Sequence, residues 1–216
     1  MKVPWFIAAA FAAAFGANGA QAKPIAFANG TTTMVEHGAG TMAEAQLFYA
    51  PRYWFSVGAG YLALGSDIDD FDRRISYVRA NLLAKRWNLP AAQANVFAWG
   101  GLGSATGTGF GRETAVNAGA QIDYETRRIY GSLRTDWHRG DSFAHRIDTV
   151  QLGVAPYAHD YDSLATWFVL QGRQYSNRLY DGVEWALLLR LFKGGTWVEA
   201  GVTQDGHPQV MMMFNF

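Results

Sequence analysis

Apolar and polar residues alternate with a period of two along most of this chain, the pattern of strands whose two faces meet different surroundings. The clearest case is TAVNAGAQIDYET, where Val116, Ala118, Ala120, Ile122 and Tyr124 share one face and Asn117, Gly119, Gln121, Asp123 and Glu125 the other. YWFSVGAGYLAL sets Tyr53, Phe55, Val57, Ala59 and Tyr61 against Trp54, Ser56, Gly58 and Gly60. DGVEWALLLRLF sets Val183, Trp185, Leu187, Leu189 and Leu191 against Glu184 and Arg190. Extended along the chain, the alternation predicts about twelve strands, with ten as the alternative count. They fall at about 31–37, 41–49, 53–64, 74–87, 95–106, 114–126, 128–137, 147–157, 164–173, 182–192, 196–203 and 209–216. NLPAAQAN opens like a helix, but Pro90 and the alternating run after it favour a turn.

Connections are tight after the second, sixth and tenth strands. They are longer and polar after the third, fifth, seventh and ninth: GSDIDDFDR, GTGFGRE, HRGDSFAHR and QYSNRLYD. NLPAAQA and AHDYDS are intermediate. Short turns at one end and longer loops at the other predict an antiparallel up-and-down transmembrane β-barrel, whose strand number is even in single bacterial chains. Tyr53 and Tyr61 bracket an apolar stripe eight steps long, roughly 26 Å at about 3.3 Å per residue. Strand tilt reduces this to about 20 Å, near the roughly 25 Å apolar band of such barrels. A soluble secreted β-barrel binding protein is the alternative. It would turn the same apolar faces inward and present Asn117, Gln121, Asp123 and Glu125 to water.

The start of the chain favours export. MKVPWFIAAAFAAAFGANGAQA carries Lys2, an apolar run from Val3 to about Gly16, and Ala20-Gln21-Ala22. That is the layout of a secretory signal peptide (residues 1–22), cut after Ala22 to leave one barrel domain over 23–216. The richest later run, VEWALLLRLF, is interrupted by Glu184 and Arg190 and is too short to span a membrane as a helix. Half the residues are hydrophobic, yet mean hydropathy is −0.07, so apolar positions are dispersed rather than gathered. Lys+Arg and Asp+Glu number 18 each, and this balance gives no reason to expect a nucleic-acid partner. The absence of cysteine excludes disulfides, thiolate metal sites, cysteine nucleophiles and a lipidated cysteine.

The chain ends VMMMFNF, with Val210, Met212, Phe214 and Phe216 in one apolar stripe. This resembles the C-terminal signal strand of bacterial outer-membrane β-barrel proteins. The resemblance covers the last strand in detail, and the leader and strand pattern in outline. It implies the outer membrane as location, its lipids as surroundings, and the barrel assembly machinery as the partner that reads the terminal stripe. A last strand that must pair with the first to remove exposed edges also explains an ordered, apolar terminus.

A barrel of this kind has its chemistry in the lumen, at the rim or on the lipid face. No G-x-S-x-G, HExxH, P-loop or dinucleotide fingerprint occurs. Asp136, His138, Asp141, Ser142, His145 and Asp148 are the rim residues for an outer-membrane hydrolase or acyltransferase, the alternative function; a polar surface loop is the plainer account of them. Asp67, Asp69, Asp70 and Asp72 read as a solvated loop neutralised by Arg73 and Arg74, and His159, Asp160 and Asp162 as a solvated turn. The alternation turns Arg79, Lys85, Gln121, Asp123, Glu125, Arg134, Gln171, Arg173, Glu184, Arg190 and Glu199 inward. Mixed charge along the lumen suits either a closed structural barrel or a narrow channel for a small solute, without strong ion selectivity. The methionines lie near both chain ends, so closing the barrel collects Met34, Met42, Met211 and Met213 on neighbouring strands, with His37 and His207 near the rim. Thioethers and imidazoles suit Cu(I); the plainer role for such methionines is to fill irregular gaps.

Overall fold

Twelve antiparallel strands close into a barrel in the computed structural model, which describes Ile25 and residues 27–66, 68–158 and 163–216. The expected signal peptide, Asp67, and His159 to Asp162 lie outside the described residues. The strands are β1 (Gly30–Gly38), β2 (Met42–Arg52), β3 (Phe55–Ser66), β4 (Phe71–Leu89), β5 (Ala92–Gly107), β6 (Phe110–Thr126), β7 (Ile129–Arg139), β8 (Ala144–Val154), β9 (Ala165–Tyr175), β10 (Val183–Lys193), β11 (Thr196–Thr203) and β12 (Pro208–Asn215). Each pairs with its sequence neighbours, and β12 returns to β1 with Met34 opposite Met213 and Glu36 opposite Met211. The last residue is part of that seam. The Phe216 N–H donates to the Thr31 carbonyl at 2.9 Å, and the Thr31 N–H donates to the Phe216 carbonyl at 2.6 Å.

An even strand count puts both termini at one end. Four of the five connections there are two-residue turns, after Arg52, Leu89, Thr126 and Lys193. The fifth, between Val154 and Ala165, is the longest in the barrel and breaks the expected asymmetry. At the other end, the loop end, β5 runs on to Gly107 and β6 resumes at Phe110, so GTGFGRE is a tight hairpin rather than a long loop. Gly109 supplies the left-handed conformation that hairpin needs, with φ of 86°. NLPAAQA is likewise strand on both sides of a turn at Pro90 and Ala91.

The faces divide as a membrane barrel divides them. Leu187 is 68% exposed, Val78 63% and Leu102 61%, all pointing outward on different strands. Arg79, Arg173, Arg190, Glu36, Glu44 and Glu199 are buried inside. Outward aromatics gather at two levels, Tyr61, Trp137 and Trp185 toward the loop end and Tyr49, Trp87 and Tyr124 toward the termini. The soluble alternative required the opposite facing.

The lumen itself is layered. At the loop end Met42, Leu62, Leu64, Ile75, Phe143, Ile147, Tyr175 and Leu179 form one apolar cluster spanning strands from β2 to β9. Near the termini end, Ala165, Trp167, Val169 and Leu188 form a second cluster, and Ile25 packs with Ala50, Leu83, Phe97 and Trp99 in a third. A lumen polar from end to end is therefore not what forms. In YLAL both faces turn apolar, so alternation carries no facing signal where β3 enters the loop-end cluster.

Candidate functional site in the lumen

Between the apolar layers lies a belt of ion pairs. Arg134 on β7 holds Asp136 on the same face through Nε at 2.6 Å and reaches Glu44 on β2 at 3.9 Å. Arg173 on β9 pairs with Glu36 on β1. Arg190 donates from Nε to Glu199 and from a terminal nitrogen to Gln151, each at 2.7 Å. The Tyr77 hydroxyl donates to Glu44 at 2.6 Å, and Arg79 donates to Gln46 at 3.1 Å. Asn95 and Gln121 both donate to Asp123, at 2.6 and 3.2 Å. Gln151 donates to Gln171 at 2.8 Å. Three pairs thus link walls separated by several strands: Glu44 with Arg134, Glu36 with Arg173, and Arg79 with Asp136 at 4.0 Å.

Aromatic rings share the charge. Arg79 lies 4.9–5.4 Å from the Phe48, Tyr77 and Trp99 rings, and Arg190 lies 4.3 Å from both Tyr130 and Trp197. Such contacts stabilise a desolvated cation by about 2 kcal/mol. Trp99 also donates to Asp136 at 3.0 Å. It reaches there by lying across Gly119, where an added Cβ would sit 2.4 Å from the ring. Glycine at 119 is therefore a packing requirement of the site.

The belt encloses a cavity of about 110 Å³, with a smaller space of about 20 Å³ between Glu44, Asp136 and His138. A water needs roughly 10–15 Å³ by this measure, so the first holds several waters and the second about one. Neither approaches the roughly 300–1,000 Å³ of small-molecule sites. At the loop end, Tyr180 packs on the apolar cluster, donates to Asp205 and accepts from Gln204 at 3.1 Å. The hydrogen bond to Asp205 raises the Tyr180 phenol above its ordinary pKa. This ties the β9–β10 connection to the β11–β12 turn over the mouth.

Of the expected lumen residues, Arg79, Asp123, Gln171, Arg173, Glu184, Arg190 and Glu199 are buried inside, and Gln121 and Arg134 line the cavity. Glu125 is half-buried near the termini end. Lys85 is a correction. A β-bulge between Leu83 and Lys85 shifts the register by one residue and turns Lys85 outward, its ammonium 5.9 Å from the Trp87 ring. Arg86 takes the inward place and donates to Asn95 at 2.7 Å. No residue at Leu83-Ala84-Lys85 announces the bulge.

The expected metal residues are brought together only in part. Met34, Met211 and Met213 pack together with Trp197, but Met42 belongs to the loop-end cluster. His37 alternates with inward Met34 and Glu36 and so faces out, and His207 is exposed in the β11–β12 turn. Among the described residues no group of three or more His, Asp or Glu is arranged for a metal ion. The rim residues divide: Asp136 and His138 share the small lumenal space with Glu44, and the others do not join them as one group. His138 and His145 face each other inside the lumen, Asp148 is outside, and the Ser142 N–H donates to the Glu113 carboxylate at 3.2 Å. Sequence reasoning missed Asp136, Gln46 and Trp99 as members of the belt. The first two share faces with Arg134 and Glu44, and that parity was the available signal.

A closed twelve-stranded ring with an apolar exterior and charged interior defines the class as an antiparallel up-and-down β-barrel of the membrane type. No family model matches the chain, and no curated protein does. Among solved structures it is similar to the KdgM porin in complex with disordered oligogalacturonate, with TM-score 0.47 and 11% identity over 86% of this chain and 96% of that one. The KdgM porin alone gives TM-score 0.46 and 9% identity over the same shares. These likenesses concern overall architecture.

Proposed function

We propose that the protein is an integral outer-membrane barrel that forms a narrow passage for small solutes, held shut in the conformation described. The facing of the strands supports the membrane reading. Leu187, Val78 and Leu102 would each cost about 1.5–3 kcal/mol to leave in water, and lipid removes that cost. Bacterial barrels keep short turns on the periplasmic side, so the termini end faces the periplasm and the loop end faces out.

The belt favours a passage over a purely structural filling. A buried ion pair adds little net stability against well-packed apolar residues, and the same barrel fills its two ends with such residues. Arg134 has two carboxylates in reach, Asp136 and Glu44, so it can release one without becoming unpaired. The balance of signs predicts weak ion selectivity. In planar bilayers the wild type should show rare, brief openings of small conductance, and Glu36→Gln should lengthen them. Silence from both proteins assigns the closed structural barrel instead.

The terminal stripe of Val210, Met212, Phe214 and Phe216 supports the assembly reading, since these residues face out and Phe216 is joined to Thr31. Phe216→Asp should slow assembly and lower the outer-membrane level, read by heat-modifiable migration on a detergent gel. Normal assembly of that variant would remove the stripe as a signal. Recovery of the wild type as a soluble periplasmic monomer would remove the membrane reading itself.

A further inference from the structure

The exterior of β6 to β10 carries a groove of about 480 Å³, within the range of small-molecule sites and several times the volume of the lumenal cavity. Ala120, Thr135 and Gly172 make it deep, and Ile122, Leu133 and Trp185 wall it. Trp185 lies against Gly172, where a Cβ would sit 2.8 Å from the ring. The Thr135 hydroxyl is buried there without a hydrogen-bond partner among the described residues.

The groove has a charged mouth toward the loop end. Asp148, opposite Thr135, is held by Arg146 Nε at 2.7 Å, and the Arg146 side chain remains 54% exposed. Arg146 stands beside Trp137 of the outer aromatic level. Arg139 follows two residues along β7 on the same face, exposed and without an ion pair among the described residues.

We propose that this groove binds an anionic, phosphate-bearing lipid of the outer leaflet. One acyl chain lies against Trp185, Ile122 and Leu133, and the phosphate is held by Arg146 and Arg139. The proposal rests on the membrane reading above, which places the groove in hydrocarbon and the two arginines at headgroup level. That continuity selects a lipid chain over a water-borne ligand, and the arginines select a negative headgroup. Asp148 does not oppose it, because Arg146 neutralises Asp148 through Nε and keeps its outer nitrogens toward the phosphate.

The test reconstitutes the folded protein in phosphatidylcholine vesicles containing either brominated phosphatidylglycerol or brominated phosphatidylcholine. Quenching at the groove is the difference between wild type and Trp185→Phe. Each arginine should enrich the anionic lipid about fivefold, so brominated phosphatidylglycerol should quench Trp185 more than brominated phosphatidylcholine. The excess should vanish in Arg139→Gln/Arg146→Gln and in Thr135→Leu, which fills the groove. Equal quenching by the two lipids, or an excess that survives Arg139→Gln/Arg146→Gln, overturns the site while leaving the membrane reading intact. A protein that does not float with the vesicles overturns the membrane reading and the site with it. A dimer in detergent that Thr135→Leu dissociates assigns the groove to a second copy and overturns the lipid.

Discussion

An Arg at position 189 should destabilise the folded barrel by about 2–4 kcal/mol, the cost of a guanidinium on the lipid face near the bilayer midplane. Leu189 faces outward on β10, between Leu187 and Leu191 and below Trp185 of the outer aromatic level. Its cross-strand neighbours are Phe168 and Ala200, neither of which can accept from a guanidinium side chain. The same substitution at Gln121 should cost a small fraction of this, because Gln121 lines the lumenal cavity and donates to Asp123. Denaturant unfolding of the two variants in lipid vesicles measures the difference. Equal costs would mean that neither face is in lipid, and the facing assigned to every strand would fall with the result.

The facing of Leu189 and Gln121 was legible in the sequence for a simple reason. A strand with lipid on one side and a polar interior on the other must change chemistry at every residue, and TAVNAGAQIDYET does so. Barrel closure was legible for a related reason, since Phe214 and Phe216 at a chain end need a neighbour to cover the strand edge. Legibility fails where the two sides of the wall become alike. Around Leu62, Ala63 and Leu64 the lumen is as apolar as the lipid, so the loop-end cluster left no period-two signature. It fails again at Lys85, because a bulge changes parity without needing a residue type that betrays it. The groove outside β6 to β10 was illegible for a third reason. It is made by small residues on nearby strands, Ala120 on β6, Thr135 on β7 and Gly172 on β9, which are distant in sequence and brought near one another only by strand register. The expected metal residues are brought together only in part, for a geometric reason of the same kind. Neighbouring strands did bring the methionines close in order, but Met42 pairs with Gly38, four residues along β1 from Met34, and so joins a different layer.

The second large effect is expected at Arg173. Its guanidinium pairs with Glu36 from β1, and it also stands opposite Glu184 on β10. All three are at most 7% exposed. Arg173→Met therefore leaves two buried carboxylates without this cation and should cost about 3–5 kcal/mol, the usual penalty for breaking a buried pair from one side. Glu36→Gln should cost less, since it removes a charge and leaves Arg173 facing Glu184. The combination Arg173→Met, Glu36→Leu, Glu184→Leu should return to near wild-type stability or exceed it, because well-packed apolar residues commonly match a buried ionic group of similar volume. Unfolding of the single and triple variants in lipid vesicles checks each step. Conductance separates the roles further. If the pair is the bar across the passage, Glu36→Gln lengthens openings, while the triple variant stays shut because its new side chains extend the apolar layer through the belt. A triple variant as unstable as Arg173→Met would show that the cost lay in lost packing of the arginine and not in the charges it serves.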